Sequence, residues 1–388
     1  MRVPAAVAAI ALLVCGCSSG APTNASDVSN TGATLNGHVF SLQRDTDIQY
    51  WFKYGPTTAY GLLTPEQTIH IPAQQTPYEP VSARVTGLTP FTTYHYQLCT
   101  APPRAGCLQA DKAFTAGPGL VFVSERASLG IWTMDAGGHD QARLAQQVVA
   151  PANPDVSSDG SKIAFAANFG GANIWVMDVD GGNPHPVTTG QTFSDNPAWS
   201  PDGKKIAFGS NRDGDRSLDI YVMDADGANV TRLTNSPGFD SEPTWSPDGT
   251  KIAFSSGRAG ARTQIYSMDA DGGNPTLLSD GTGDDRQPDW SPDGTKIAFS
   301  HGTGQPYPHG PGIWVIDADG GNPTAIADNA RAANYTPVWS PDGTRIAFQS
   351  SVFDIGDDVY SVYADGTHQT RLTDSAAVDW QPDWIPRP

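Results

Sequence analysis

From about residue 120 onward, apolar and polar positions alternate in short runs separated by turn residues, which is the pattern of half-buried strands. The unit Ser241–Asp280 shows it well. Glu242–Trp245 reads as a first strand, and Ser246-Pro247-Asp248-Gly249 as a type I turn. Lys251–Ser255, with Ile252 and Phe254 on one face, is a second strand, and Gln264–Met268 a third. The third closes on Asp269-Ala270-Asp271-Gly272, and Thr276–Ser279 is the fourth. A 3.6-residue apolar period is absent, which excludes a helical solenoid.

This unit recurs. Pro-x-Trp-Ser-Pro-Asp-Gly-x-x-Ile-Ala-Phe stands at Pro197–Phe208, Pro243–Phe254, Pro288–Phe299 and Pro337–Phe348, with a weaker copy at Pro154–Phe165. Val156, Trp199, Trp245, Trp290, Trp339 and Trp384 are spaced by 43, 46, 45, 49 and 45 residues. Four antiparallel strands in about 45 residues predict a propeller blade. The ends complement each other: Leu120–Arg143 supplies three strands without a preceding Trp-Ser-Pro, and Gln381–Trp384 supplies the missing first one. Sharing a blade in this way closes a ring and removes exposed sheet edges. The fold class expected is all-β, with a six-bladed propeller over residues 118–388.

The region 28–117 lacks the repeat. Ala33–Phe40, Asp47–Tyr54, Val81–Thr86, Tyr94–Cys99 and Ala110–Thr115 alternate as strands, and about 90 residues of short strands suggest a two-sheet sandwich. Before it, Arg2 and the apolar run Ala5–Val14 read as a secretory signal over residues 1–16, too short to span a bilayer. Residues 17–27 read as a polar tether. In an oxidising compartment, Cys99 and Cys107 are expected to form a disulfide.

Three resemblances add to this reading. Trp-Ser-Pro-Asp-Gly-x-x-Ile-Ala-Phe followed by Ile-Tyr-x-Met-Asp-x-Asp-Gly closely resembles the TolB-like, WD40-like Pro-Asp (PD40) repeat. That likeness implies a periplasmic or surface propeller that binds partner proteins. Leu88-Thr89-Pro90-Phe91-Thr92-Thr93-Tyr94 resembles the fibronectin type III tyrosine corner, which implies that Tyr94 bonds back to upstream backbone. The family's usual strand-B Trp is missing, and Trp51 is expected to fill that volume. Val14-Cys15-Gly16-Cys17 resembles a bacterial lipobox, which implies cleavage before Cys17, lipidation of its sulfur and a lipid-anchored position in the cell envelope.

Charge narrows the partners. Lys plus Arg total 23 against 41 Asp plus Glu, a net charge of −18. A nucleic-acid partner is thus disfavoured, since that requires a basic patch. The repeated Asp-x-Asp-Gly lacks the further oxygen ligands of a calcium loop and reads as a turn. No His-Glu-x-x-His occurs in the sequence, and no Gly-x-Ser-x-Gly nucleophile elbow is read in it. Neither a cofactor nor a catalytic set is predicted.

Strand alternation places all Ser-Pro-Asp-Gly and Asp-x-Asp-Gly turns on one face, which is uniform. The opposite face carries the irregular segments, including His301–Gly312 with Tyr307 and His309. Irregular loops on a rigid scaffold are where function concentrates. Around the channel mouth on that face, the sequence predicts a binding ring including Asp195, Asp240, Glu242, Asp284, Arg286, Tyr335 and Asp379, with His301 in the adjoining loop. It would take a protein or peptide partner, and its acids suit a cation or a basic segment. The competing reading is a carbohydrate-active enzyme or glycan-binding protein acting at the same mouth.

Overall fold

The computed structural model describes residues 18–26, 28, 32–41, 45–72, 78–89, 92–101, 106–107, 111–116, 119–126, 128–139, 141–144, 148–168, 172–190, 192–214, 217–260, 262–302, 310–328, 332–352 and 356–386. Among these the regular structure is entirely β, without helix. The chain divides into two compact units, Met1–Gly117 and Pro118–Pro388.

In the first unit, Ser18–Ser26, Gly32–Ser41 and Tyr78–Thr86 form one antiparallel sheet. The second sheet is built on Thr46–Gly55 and Thr93–Ala101. Leu35, Val39, Ile48, Phe52, Tyr96, Leu98 and Phe114 come from both sheets and form one core. Two expectations are corrected here. Residues 18–26 are not a tether but a strand paired with Gly32–Ser41, from Ser18 opposite Ser41 to Ser26 opposite Thr34. Their polar sequence gave no apolar alternation, and backbone pairing at a sheet edge requires none. Phe52, not Trp51, fills the core; alternation along Thr46–Gly55 buries Ile48, Tyr50 and Phe52 and turns Trp51 to the other face. Cys99 and Cys107 are disulfide-bonded across paired strands. The backbone N–H of Thr89 donates to the Tyr94 hydroxyl at 3.0 Å.

The second unit contains, among its described residues, six four-stranded antiparallel sheets. Five are consecutive in sequence, and in the remaining one the C-terminal strand Asp379–Ile385 pairs with Gly119–Ser124. The first strands are Pro151–Val156, Ser194–Trp199, Asp240–Trp245, Asp284–Trp290, Ala332–Trp339 and Asp379–Ile385. Each of these strands contacts the next, and the last contacts the first, so they surround a central channel.

Turn chemistry builds the sheets. In Ser246–Gly249 the Gly249 N–H donates to Ser246 O at 2.8 Å, and Asp248 Oδ1 accepts from Ser246 Oγ at 2.6 Å and from Thr250 N–H at 3.0 Å. In Asp269–Asn274, Asp271 Oδ1 accepts from Gly273 N–H, while Asp269 holds Lys251 Nζ and Asn274 Nδ2. Gly272 has φ 91°, and a Cβ there would lie 2.7 Å from Leu233 O, so the position requires glycine. The carboxylates of this phrase are thus engaged in the turn itself.

The cores lie between sheets. Trp245, Ile252 and Phe254 pack with Ala207, Ile220 and Val222 of the preceding sheet. Trp339, Ile346 and Phe348 pack likewise with Ile313 and Val315. Trp245 Nε1–H donates to Ala198 O at 3.2 Å, and Trp384 Nε1–H to Val338 O at 3.1 Å, tying these two sheets to the ones before them. Burying a large apolar side chain stabilises by about 1.5–3 kcal/mol, and the repeat supplies several at every junction.

Candidate functional site

The channel is shaped by the Pro of each first strand. Proline cannot donate to a ladder, and each strand shifts register around it, for example between Asp195 and Ala198 or between Arg286 and Asp289. The residue before each Pro is forced to positive φ: Asn153 49°, Asn196 51°, Glu242 57°, Gln287 57°, Thr336 48° and Gln381 52°. None is glycine, and a non-glycine residue held there costs about 1–3 kcal/mol. The six line a cavity of about 120 Å³ on the loop side of the channel.

Their side chains relay around the ring. Gln381 Oε1 accepts Asn153 N–H at 2.9 Å, Glu242 Oε2 accepts Gln287 N–H at 3.0 Å, and Gln287 Oε1 accepts Thr336 N–H at 2.9 Å. Burial holds the Glu242 carboxyl above its ordinary value, opposed by hydrogen bonds from Ser255 and Gln287 and by nearby Arg286.

One level toward the turn face lie Asp155, Ala198, Thr244, Asp289, Val338 and Asp383. Three are acids, and each bonds across a sheet junction. Asp155 Oδ2 accepts Trp199 N–H at 2.6 Å, Asp289 Oδ2 accepts Trp339 N–H at 2.7 Å, and Asp383 Oδ2 accepts Val156 N–H at 2.6 Å. Desolvation raises all three: Asp289 is pushed up to about 7, and Asp383 is raised further by its proximity to Asp155. Among the described residues no three His, Cys, Asp or Glu side chains converge as a metal-ligand set.

The predicted ring divides into two groups. Glu242 lines the loop-side mouth with Asp195 and Arg286 near it, and Tyr335 holds the strand position equivalent to Arg286. Asp195 Oδ1 accepts from Asn153 Nδ2 at 2.8 Å, and its carboxyl is raised by desolvation. The exposed Arg286 guanidinium lies 5.1 Å from the Phe239 ring centre. Tyr335 is half-buried, and desolvation raises its phenol.

The structure moves the others away from the mouth. Asp240 is fully buried, paired with Arg258 at 2.8 Å and hydrogen-bonded to Ser236 and Ser256. Asp379 is likewise buried against Arg126 and Ser375. His301 is buried too, its Nδ1 2.7 Å from Asp285 Oδ1 and its ring 4.6 Å from that of Trp314. Asp284 is exposed and accepts Thr263 N–H, at the start of its strand, two residues before Arg286. Asp240 and Glu242 lie two residues apart, and the register shift between Ser241 and Thr244, with positive φ at Glu242, breaks the alternation that would otherwise put them on one face. Tyr307, His309 and Cys17 lie outside the described residues. The pre-proline ring and the three channel acids were missed as sets. Their signal was the set of polar residues flanking an invariant Pro.

A second, larger cavity of about 410 Å³ opens on the turn face. Trp199, Trp245, Trp290, Trp339 and Trp384 line it, with the prolines of the turns, and Asp155, Asp289 and Asp383 stand at its inner end. The turn face is uniform, as expected, but it is not without a cavity: five sheets add a Trp and one adds Val156, each with a turn residue, to one funnel.

The TolB beta propeller domain family matches residues 120–308. Among solved structures, TolB from Acinetobacter baumannii superposes with a TM-score of 0.61 at 22% identity, covering 77% of this chain and 81% of that one. A putative TolB from Agrobacterium tumefaciens gives 0.51 at 27% identity, over 64% of this chain and 86% of that one. A chain of a nidogen/laminin complex gives 0.56 at 11% identity, over 69% and 98%. These likenesses establish an all-β, TolB-like propeller fold. No curated protein matches the sequence significantly.

Proposed function

We propose that the chain is an extracytoplasmic binding protein whose loop-side channel mouth recognises a protein or peptide. In this reading residues 118–388 form a closed six-bladed propeller, and residues 28–117 a fibronectin type III-like sandwich that serves as a spacer. The bond between Thr89 N–H and the Tyr94 hydroxyl supports the sandwich reading, because a tyrosine corner makes that contact. Residues 1–16 are a signal cleaved before Cys17, and lipid on Cys17 anchors the protein to a cell-envelope membrane. The TolB-like fold supports the envelope location and the binding role.

One observation carries the binding reading. Glu242 lines the mouth with Arg286 and Asp195 near it, and Tyr335 holds the strand position equivalent to Arg286, on strands whose pre-proline backbone is strained and hydrogen-bonded. Arg and Tyr on a pre-ordered rim are the residue types that dominate protein-recognition energetics, and preorganisation lowers the cost of association. The acids of the mouth and channel suit a cation or a basic stretch of the partner.

Chemical crosslinking and affinity capture from intact cells test this, comparing wild type with the double variant Arg286→Ala, Tyr335→Ala. The expected result is loss of a specific partner with an unchanged thermal midpoint. Identical partner lists would remove the mouth from the reading. Cys17→Ala should shift the protein from the membrane to the soluble fraction, and an unchanged distribution would remove the anchor.

A further inference from the structure

We propose that the turn-face funnel is a second docking site, which takes an arginine or lysine side chain on an extended, apolar segment of a partner protein. This goes beyond the loop-side reading and does not depend on it.

The funnel combines two chemistries. Its wall is aromatic and prolyl, with Trp199, Trp290 and Pro247 among its residues. Its inner end carries Asp155, Asp289 and Asp383. Each acid uses Oδ2 to accept a backbone N–H of the next sheet. Asp289 Oδ1 also accepts from Thr244 Oγ1, at 3.4 Å. Asp155 Oδ1 accepts no hydrogen bond among the described residues, Asp383 takes only a further backbone bond from the adjacent Trp384, and no described Lys, Arg or His pairs with any of the three. An apolar wall around acid groups without a counter-charge favours a cation that brings its own apolar stem and draws those acids into the charged form.

Geometry selects the kind of cation. A bare metal ion needs several oxygens converging on one point, and these acids do not form such a set. A guanidinium spreads five donors across a plane and reaches separated acceptors, while its stem and flanking residues pack on Trp and Pro. The channel provides a cavity of about 410 Å³ for that stem. The chain's net charge of −18 steers a basic segment toward it.

The test uses the full chain and two synthetic probes, acetyl-Pro-Pro-Arg-Pro-Pro-amide and the same peptide with neutral citrulline in place of Arg. Binding is read by tryptophan fluorescence and confirmed by equilibrium dialysis. Wild type should bind the Arg peptide at least roughly tenfold more tightly than the citrulline peptide, the scale of one desolvated charge pair. The isosteric pair Asp155→Asn, Asp383→Asn should abolish that preference, and Arg286→Ala at the opposite mouth should leave it intact. Equal binding of both probes by wild type would overturn the proposal without recourse to any variant. So would a preference that survives the Asn pair, or sedimentation showing that a second copy of the chain fills the funnel. Failure here would leave the loop-side crosslinking result untouched.

Discussion

The two ends of the channel are built from the same six strands and yet differ in kind. The turn-face end is regular: a Trp or Val and a turn residue recur at every sheet, because each also closes a strand turn or packs a junction. The loop-side end is irregular: Asp195, Ser241, Arg286, Tyr335 and Trp380 occupy equivalent positions in successive first strands without sharing chemistry. Positions that serve the fold converge on one residue type, and positions released from that duty diverge. Regularity does not make a surface inert, however, since a ring of equivalent core residues encloses the larger cavity.

The sharpest way to break this comparison is to damage the regular framework. Arg258→Ala leaves Asp240 buried without its counter-charge and removes a guanidinium 5.0 Å from the Phe254 ring centre and 4.9 Å from that of Tyr266. Denaturant unfolding should show a loss of about 3–5 kcal/mol. Trp384→Ala, in the strand that pairs with Gly119–Ser124, should cost a similar ~3–5 kcal/mol by cavity formation. A change below about 1 kcal/mol in either would mean that the junctions do not carry the ring's stability.

Acidity sharpens the comparison more gently. Asp285 holds the strand position at which other sheets pair Asp379 or Asp240 with an Arg, and the hydrogen bond to it raises the His301 imidazole. Its stabilisation is fully present below the unfolded value of about 6.5 and is lost as pH rises through the higher folded value. The melting advantage of wild type over His301→Ser should therefore be greatest near pH 6 and shrink in alkali. An advantage independent of pH would show that the pair acts by packing alone.

Asp289 works on the other side of neutrality. Its folded value of about 7 exceeds the unfolded 3.8, so the native state holds the extra proton between these limits. Stability should fall as pH rises through that window, and Asp289→Asn should flatten the fall in thermal melting. A wild-type curve already flat from pH 4 to 7 would contradict the desolvation of the channel acids. The smallest effect belongs to the loop side: Arg286→Ala should change stability by less than about 0.5 kcal/mol.

Much of the framework was legible in the sequence, and the reasons are local. Ser246-Pro247-Asp248-Gly249 specifies its turn through short-range bonds, and Ile252 with Phe254 shows its buried face by alternation. The site was less legible. Asp240 and Glu242 both look like acids at a strand start, and only the register around Pro243 sends one into a buried pair and the other into the channel. Asp155, Asp289 and Asp383 follow a proline in three distant repeats, and closure of the strands around the channel brings them to one level. The strand Ser18–Ser26 was missed because an edge strand of polar residues has no burial pattern to read.

The division between the two ends can be tested most directly by photo-crosslinking in intact cells. A photoreactive residue is placed at Arg286 on the loop side or at exposed Lys204 on the turn face. A mouth built for protein recognition predicts one specific adduct from position 286, abolished by Tyr335→Ala. No adduct from position 286, or the same adduct from both positions, would contradict it.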